Sequence, residues 1–102
     1  MHPERSPAVY ILASQRNGTL YVGVTSDICA RVSSHRLKLT PGSTTRYGVT
    51  RLVHIEHFGE MGDAIAHEKK LKKWRREWQL ELIEKENPEW KDLFEDLCGK
   101  VD

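Results

Sequence analysis

The chain of 102 residues has 38% hydrophobic and 30% charged side chains and a net charge of +1. A chain of this length builds one domain with a modest core, which we place at about residues 8–90 of a single domain spanning 1–102. No apolar run approaches the roughly 20 residues of a membrane helix, and residues 1–7 lack the apolar stretch of a secretory signal, so we expect neither a membrane protein nor a secreted one.

The chain begins with two predicted strands. β-Branched and aromatic residues fill 9–13 and 19–24, and the short loop between them contains Asn17 and Gly18, a pair typical of hairpin turns. After this hairpin, the pattern predicts helices at 28–37, 61–73 and 75–86 and a third strand at 50–58. The resulting order, β-β-α-β-α-α, indicates an α+β (α/β) fold in which helices pack on a small sheet.

Two tyrosines share one face of the predicted hairpin. A four-residue loop without a bulge pairs Tyr10 with Gly23 and Leu12 with Tyr21, so the two phenols are diagonal neighbours within reach of a common ligand. Gly23 leaves open space beside Tyr10. The pair is either a two-hydroxyl site or two ordinary strand residues with buried rings and wet hydroxyls.

The helix predicted after the hairpin contains a second polar pair. Arg31 and His35 are four residues apart and therefore share one face. An arginine offers planar donors to a phosphate oxygen, and a histidine donates a proton near neutral pH. The two form either a phosphate-binding surface or an ordinary solvated helix face. From the loop predicted at 38–48, Tyr47 can reach a substrate.

Glu68 is the most informative single residue. In the predicted helix 61–73 it falls in the same stripe as the apolar residues that face inward. A buried carboxylate needs a base, hydrogen bonds or a cation such as Mg²⁺, which accepts one carboxylate and keeps several waters. The alternative is a stripe edge, at which Glu68 reaches solvent or pairs with Lys72 one turn later.

A basic run follows Glu68 and consists of Lys69, Lys70, Lys72, Lys73, Arg75 and Arg76. Residues 1–76 carry a net charge of +7, whereas residues 77–102 carry −6. The basic surface either follows a nucleic-acid backbone or is simply solvated. Trp74 and Trp78 lie within and beside the run, and we expect them to anchor the core rather than stack on bases.

Cysteines and the remaining histidines give little functional signal. Cys29 and Cys98 lie 69 positions apart, and two cysteines are too few for a disulfide scaffold and lack the paired spacing of a zinc site. His54 and His57 are three apart on a strand and point to opposite faces, which argues against a shared metal. The cysteine usage predicts a cytoplasmic protein.

The polar residues and their spacing resemble the GIY-YIG nuclease superfamily, above all its short stand-alone bacterial members. The resemblance rests on Val9-Tyr10-Ile11, Tyr21-Val22-Gly23, Arg31, His35, Glu68 and the basic run that ends at Arg76. It implies a small three-stranded mixed β-sheet flanked by helices and metal-dependent cleavage of phosphodiester bonds. Two departures, Ala8-Val9-Tyr10 in place of Gly-Ile-Tyr and Val22 in place of isoleucine, leave both tyrosines intact.

The resemblance also implies roles for these residues. Tyr10 and Tyr21 take the positions of the two motif tyrosines, Arg31 and His35 take the phosphate-facing helix positions, and Glu68 takes the lone metal-ligand position. Mg²⁺ (or Mn²⁺) is the expected cofactor, and Asn87 is the candidate for an asparagine found late in the family's domain. As a hypothesis, Tyr10 accepts a proton from the attacking water, which requires positive charge nearby because a free phenol has a pKa of about 10.

We therefore expect a metal-dependent endonuclease that acts on DNA, on exposed or branched strands, as a monomer or weak dimer. The expected nucleic-acid contacts are Lys69, Lys72, Lys73, Arg75, Arg76, Arg46 and Tyr47. An alternative is a non-catalytic nucleic-acid-binding or adaptor module on the same fold. A purely structural domain would instead pair Glu68 with a base and bury Tyr10 far from Arg31.

Overall fold

Seven elements form the described part of the chain, which a computed structural model gives as residues 6–36 and 48–99. The strands are β1 (Ala8–Ala13), β2 (Leu20–Thr25) and β3 (Arg51–His57), and the helices are α1 (Ile28–Arg36), α2 (Met61–Lys73), α3 (Arg76–Glu86) and α4 (Phe94–Cys98). The predicted element order is confirmed, and α4 extends it. None of these helices is long and apolar enough to cross a membrane. Most of the predicted 38–48 loop lies outside the described residues.

The sheet has the strand order β2-β1-β3. The predicted hairpin register is confirmed, because Tyr10 pairs with Gly23 and Leu12 with Tyr21. β1 also pairs with β3 in an antiparallel sense, with a bulge between Ile11 and Leu12. The expectation of a mixed sheet is therefore wrong: β2 and β3 run in the same direction, but β1 lies between them and separates them.

The central strand β1 is buried on both faces, since all six of its residues are nearly inaccessible to solvent. Val9 and Ile11 face one layer of the core, and Tyr10 and Leu12 face the other. The first layer contains Val22, Val53, Ala64, Leu71, Ile83 and Trp90. The second contains Ile28, Val32, Val49, Leu52 and Phe94. Helices therefore cover both faces of the sheet, with α2 on the first face and α1 on the second.

The start of α1 is fixed by the capping residues that the sequence offers. The Thr25 hydroxyl accepts a hydrogen bond from the Asp27 backbone N–H at 3.0 Å, and the Asp27 carboxylate accepts one from the Ala30 N–H at 3.2 Å. These bonds satisfy donors that the first turn of a helix leaves without intrahelical partners. Arg31 and His35 are thereby set one turn apart on a helix of defined origin.

A disulfide joins Cys29 of α1 to Cys98 of α4. This bond could not be predicted from the sequence, because a separation of 69 positions does not reveal that two helices pack together. The prediction of a cytoplasmic location loses its support from cysteine usage, since disulfides are rare in reducing compartments. Next to the disulfide, Arg36 forms an ion pair with Asp92, and its guanidinium lies 4.3 Å from the centre of the Phe94 ring.

Candidate active site

Tyr10 crosses a notch in the sheet that is formed by Gly23. A Cβ atom placed on Gly23 would lie 2.5 Å from both the Cζ and the hydroxyl oxygen of Tyr10. Ordinary carbon contacts are about 3.5–4.0 Å long, so only glycine leaves room for the ring. The phenol of the central strand therefore extends over β2, which is an edge strand of the sheet. Tyr10 itself is only 1% exposed.

Three rings meet above this notch. The ring centres of Tyr10 and Tyr21 are 6.2 Å apart, and the imidazole of His35 lies 6.3 Å from Tyr10 and 5.4 Å from Tyr21. The Tyr10 hydroxyl is 3.4 Å from Nε2 of His35, a long hydrogen bond whose direction depends on the histidine tautomer. Tyr21 is half-buried, so its phenol is the more accessible of the two. The structure thus brings both tyrosines and His35 together.

The electrostatics of Tyr10 extend this cluster to both helices. Burial raises the pKa of the Tyr10 phenol well above its usual value; Tyr21 and the negative charge of Glu68 add to the rise, and the positive charge of Arg31 partly offsets it. Arg31 and Glu68 therefore both lie within electrostatic range of the phenol. Arg31 lowers the Tyr10 pKa as expected, but desolvation raises it by more.

His35 has the opposite shift. Burial lowers its pKa below the usual value, and the nearby Arg31 lowers it further. Both effects disfavour the charged form of an imidazole. His35 is therefore neutral at neutral pH, and a neutral ring has one nitrogen that can accept a proton.

Glu68 lies on the side of α2 that packs against the sheet and is only 9% exposed, as its place in the apolar stripe predicted. Its Oε2 also forms an ion pair with Nζ of Lys72 at 2.6 Å. The two interpretations left open by the sequence therefore hold together: the carboxylate is buried and has the i+4 lysine as partner. A purely structural domain would pair Glu68 with a base and bury Tyr10 far from Arg31. The structure has the ion pair and the buried Tyr10, but Arg31 lies within electrostatic range of the phenol.

A polar cleft of about 380 Å³ adjoins this cluster and was not predicted. Its lining consists of Thr25, Ser26, Asp27, Ala30, Arg31 and Ser34. Arg31 lines the cleft from the first turns of α1, where backbone N–H groups and the helix dipole favour an anion. Asp27 and Ser34 could have been recognised as part of it, because they lie four and three residues from Arg31, about one helical turn away.

The basic run is divided by the structure. Lys72 pairs with Glu68, and Arg76 donates hydrogen bonds to the carbonyl oxygens of Asn17 and Gly18 in the hairpin turn, at 2.8 and 2.7 Å. Lys69, Lys73 and Arg75 are exposed. The predicted contacts Arg46 and Tyr47 lie outside the described residues.

Asn87 is placed away from the cluster. Its side-chain N–H groups donate to the carbonyls of Val53 and Lys91 at 3.1 and 2.8 Å, and its side-chain oxygen accepts from the Lys91 N–H at 3.0 Å. Val53 belongs to β3, on the other side of β1 from the Gly23 notch. The structure therefore uses Asn87 to tie the end of α3 to the sheet.

A second polar cluster that the sequence analysis missed lies between β3 and α2. Oε2 of Glu56 contacts Nε2 of His54 at 3.0 Å and Nε2 of His67 at 2.9 Å. Burial alone would raise the pKa of Glu56, but hydrogen bonds and charge from the two histidines outweigh it and hold the pKa below its usual value. His54 is buried and His57 is exposed, as their opposite faces predicted.

Comparisons with known proteins agree with this fold. The family model described as the GIY-YIG catalytic domain matches residues 6–87. A UPF0213 protein of Staphylococcus haemolyticus is 32% identical over 80 residues, which cover 74% of this chain and 92% of that protein. The solution structure of a UPF0213 protein from Bacillus halodurans shares the fold with a TM-score of 0.54 and 24% identity, over 88% of this chain and 95% of the other.

Proposed function

Since the chain belongs to the GIY-YIG catalytic-domain family, we propose that it is a metal-dependent endonuclease that hydrolyses phosphodiester bonds in DNA. The observation that supports this most is the cluster at the Gly23 notch, where two phenols and a neutral imidazole lie within electrostatic range of one guanidinium and one buried carboxylate. These residues would supply the three kinds of group needed for hydrolysis: a proton acceptor, a cationic phosphate ligand and, from α2 on the other face of the sheet, a metal ligand.

The proton of the attacking water leaves through Tyr10 and His35. A neutral phenol whose pKa is raised by burial cannot accept a proton unless it gives up its own. Nε2 of His35 lies 3.4 Å from the Tyr10 hydroxyl and accepts that proton while Tyr10 takes one from the water. As the new phosphorus–oxygen bond forms, the bond to the leaving oxygen breaks, and His35 ends as an imidazolium. Tyr21, which is more exposed, positions the water or the phosphate.

Arg31 binds the phosphate from the polar cleft. Its guanidinium donates to the non-bridging oxygens, on which negative charge grows during the reaction. The same positive charge lowers the pKa of Tyr10 and favours proton loss from the phenol. Removal of a group that stabilises such charge typically costs about 2.7–4 kcal/mol, which is a rate loss of about 10²–10³.

Glu68 is the residue that would hold the metal. Within residues 6–36 and 48–99, no group of three or more histidine, cysteine, aspartate or glutamate side chains is placed to hold one. The proposed protein donor is the single carboxylate of Glu68. Mg²⁺ fits such a donor because it keeps several waters, and Lys72, whose side chain is 52% exposed, can move aside. When bound, the ion supplies Lewis-acid stabilisation of the phosphate charge.

The test is cleavage of end-labelled single-stranded, duplex and flap DNA with Mg²⁺ or Mn²⁺, by the wild type and by Glu68→Gln, which keeps the side-chain shape and removes its charge. We expect cleavage by the wild type that EDTA abolishes, and a loss of at least 10²-fold in the variant. Glu86→Gln is the matched control, because it removes one carboxylate charge from an exposed position of α3, and it should cleave at the wild-type rate. Equal rates for wild type and Glu68→Gln would refute the proposal, and metal-independent DNA binding without any cleavage would favour the adaptor alternative.

A further inference from the structure

A groove on the outer side of α3 lies apart from the Gly23 notch. It has a volume of about 530 Å³ and is lined by Trp74, Trp78, Glu81, Leu82 and Lys85. This volume is within the range of small-molecule binding sites. Trp78 is 47% exposed, the largest exposed fraction of any large hydrophobic side chain in the described parts of the chain. The expectation that both tryptophans anchor the core therefore holds for the half-buried Trp74 but is wrong for Trp78.

The two indoles favour a flat aromatic occupant. Their ring planes are perpendicular, at 88°, and their centres are 6.1 Å apart. Two perpendicular rings form a corner, in which a planar group can stack on one ring while it touches the edge of the other. Every nucleobase is such a planar group, and stacking on an aromatic side chain is a general way to hold single-stranded nucleic acid.

Positive charge borders the groove on one side. The Arg75 guanidinium lies 5.4 Å from the centre of the Trp78 ring, and Nζ of Lys70 lies 6.0 Å from the centre of the Trp74 ring. Lys69 and Lys73 are exposed on the same helix as Lys70. A ligand that combines a flat ring with a negative backbone matches this pattern, since the ring enters the corner and the phosphates meet the cations.

The remaining lining residues can read the edge of a base. Glu81 and Lys85 are one turn apart on α3 and offer an acceptor next to a donor. With position 4 of a pyrimidine or position 6 of adenine placed against Glu81, cytosine and adenine present an amino donor to the carboxylate and an accepting ring nitrogen to Lys85, whereas uracil and thymine present a carbonyl oxygen to the carboxylate.

We infer that this groove binds one unpaired base of a DNA strand, stacked on Trp78, with its exocyclic amino group donating to Glu81 and its phosphates on Arg75 and the neighbouring lysines. Cytosine and adenine are therefore preferred over thymine and uracil at this position. The inference rests on the proposed nucleic-acid substrate. Trp74 directly follows the last residue of α2 and is six residues after Glu68, a rise of about 9 Å, so the same strand can reach both places.

The test measures binding in EDTA, so that it does not depend on cleavage. Indole N–H resonances are recorded while dCMP or dUMP is added, two nucleotides that differ at the amino and carbonyl positions. We expect dCMP to shift the Trp78 signal and dUMP to shift it much less. Trp90 is the internal control, because it is fully buried and its N–H donates to Glu84 at 2.9 Å, so its signal should not move.

Variants separate stacking from edge recognition. Trp78→Ala should weaken binding of a labelled (dC)₈ strand about tenfold, and Trp78→Phe should restore most of the affinity, as expected for a stacking ring. Glu81→Gln should abolish the preference for (dC)₈ over (dU)₈. Glu86→Gln removes the same charge from an exposed position of α3 that does not line the groove, and it should keep the preference.

Three results would overturn the inference: equal shifts of the Trp78 signal with both nucleotides, unchanged affinity in Trp78→Ala, or a wild-type dimer that Trp78→Ala converts to a monomer, which would show that the groove receives a second copy. A failure of this inference can be distinguished from a failure of the proposed function. Binding as described without cleavage of any substrate refutes only the nuclease, whereas cleavage that is unaffected by Trp78→Ala, with unchanged affinity, refutes only the groove.

Discussion

A single methyl group added at Gly23 should disturb the candidate active site more than any conservative change elsewhere in the sheet. In Gly23→Ala the new Cβ would lie 2.5 Å from Cζ and from the hydroxyl of Tyr10, about 1 Å closer than an ordinary contact. The ring cannot move into solvent freely, because Tyr10 is packed in the second core layer. The overlap must therefore be relieved by shifting the ring or by bending β2.

The expected cost follows from this geometry. Overpacking of a well-packed core typically costs about 1–3 kcal/mol, and in a domain of this size each kcal/mol lowers the melting temperature by about 4–8 °C. A shift of about 1 Å in the Tyr10 hydroxyl moves it relative to His35 and can lower the cleavage rate about 10²-fold. Urea or thermal unfolding measures the first effect, and the labelled-oligonucleotide assay measures the second.

Two controls make the result specific. Gly62→Ala adds the same methyl group in α2, where no heavy atom lies within 4 Å of the added Cβ, and it should leave stability unchanged or slightly raised. In a Tyr10→Ala background, Gly23→Ala should cost less than about 0.5 kcal/mol, since its clash partner is gone. If Gly23→Ala alone unfolds and cleaves like the wild type, the phenol does not cross the notch as described and the site geometry is wrong.

Three further predictions concern the surroundings of the site. Reduction of the Cys29–Cys98 disulfide should lower the free energy of unfolding by up to about 4 kcal/mol, because the unfolded chain is then no longer closed into a loop. Urea unfolding with and without dithiothreitol measures this difference, and Cys98→Ser should unfold identically with and without the reductant. Asn87→Ala should cost about 2–3 kcal/mol in the same experiment, because the buried Val53 carbonyl loses its donor, and a large loss of cleavage without loss of stability would instead give Asn87 a catalytic role. His35 should have a pKa below 6.5 when it is titrated by NMR, and activity should fall as the pH drops through that pKa, because the neutral ring is the proton acceptor. In Arg31→Gln the His35 pKa should rise but stay below 6.5, since burial, the larger cause, remains. An unchanged His35 pKa in this variant would show that Arg31 is not near His35.

The sequence was informative where local chemistry decides the structure. The register of the hairpin follows from its four-residue loop, so the approach of Tyr10 to Tyr21 could be predicted before any coordinates. The inward position of Glu68 follows from the helical period in the same way. Features set by tertiary packing could not be predicted: the pairing of Cys29 with Cys98, the insertion of β1 between two strands of the same direction, and the tie of Asn87 to β3.

The same division applies to the chemistry of Tyr10. From the sequence, a tyrosine next to an arginine suggests a phenol whose pKa is lowered by charge, because charge can be counted along the chain and desolvation cannot. In the fold, Tyr10 belongs to the central strand of the sheet, and burial there raises its pKa more than Arg31 lowers it. A phenol in that state accepts a proton only if a second group takes the proton that the phenol already carries. Burial also lowers the pKa of His35, and Nε2 of His35 lies 3.4 Å from the Tyr10 hydroxyl. Burial in the apolar core beneath the notch therefore has two effects. It prevents Tyr10 from acting as a base alone, and it favours the neutral form of His35, which can accept the Tyr10 proton.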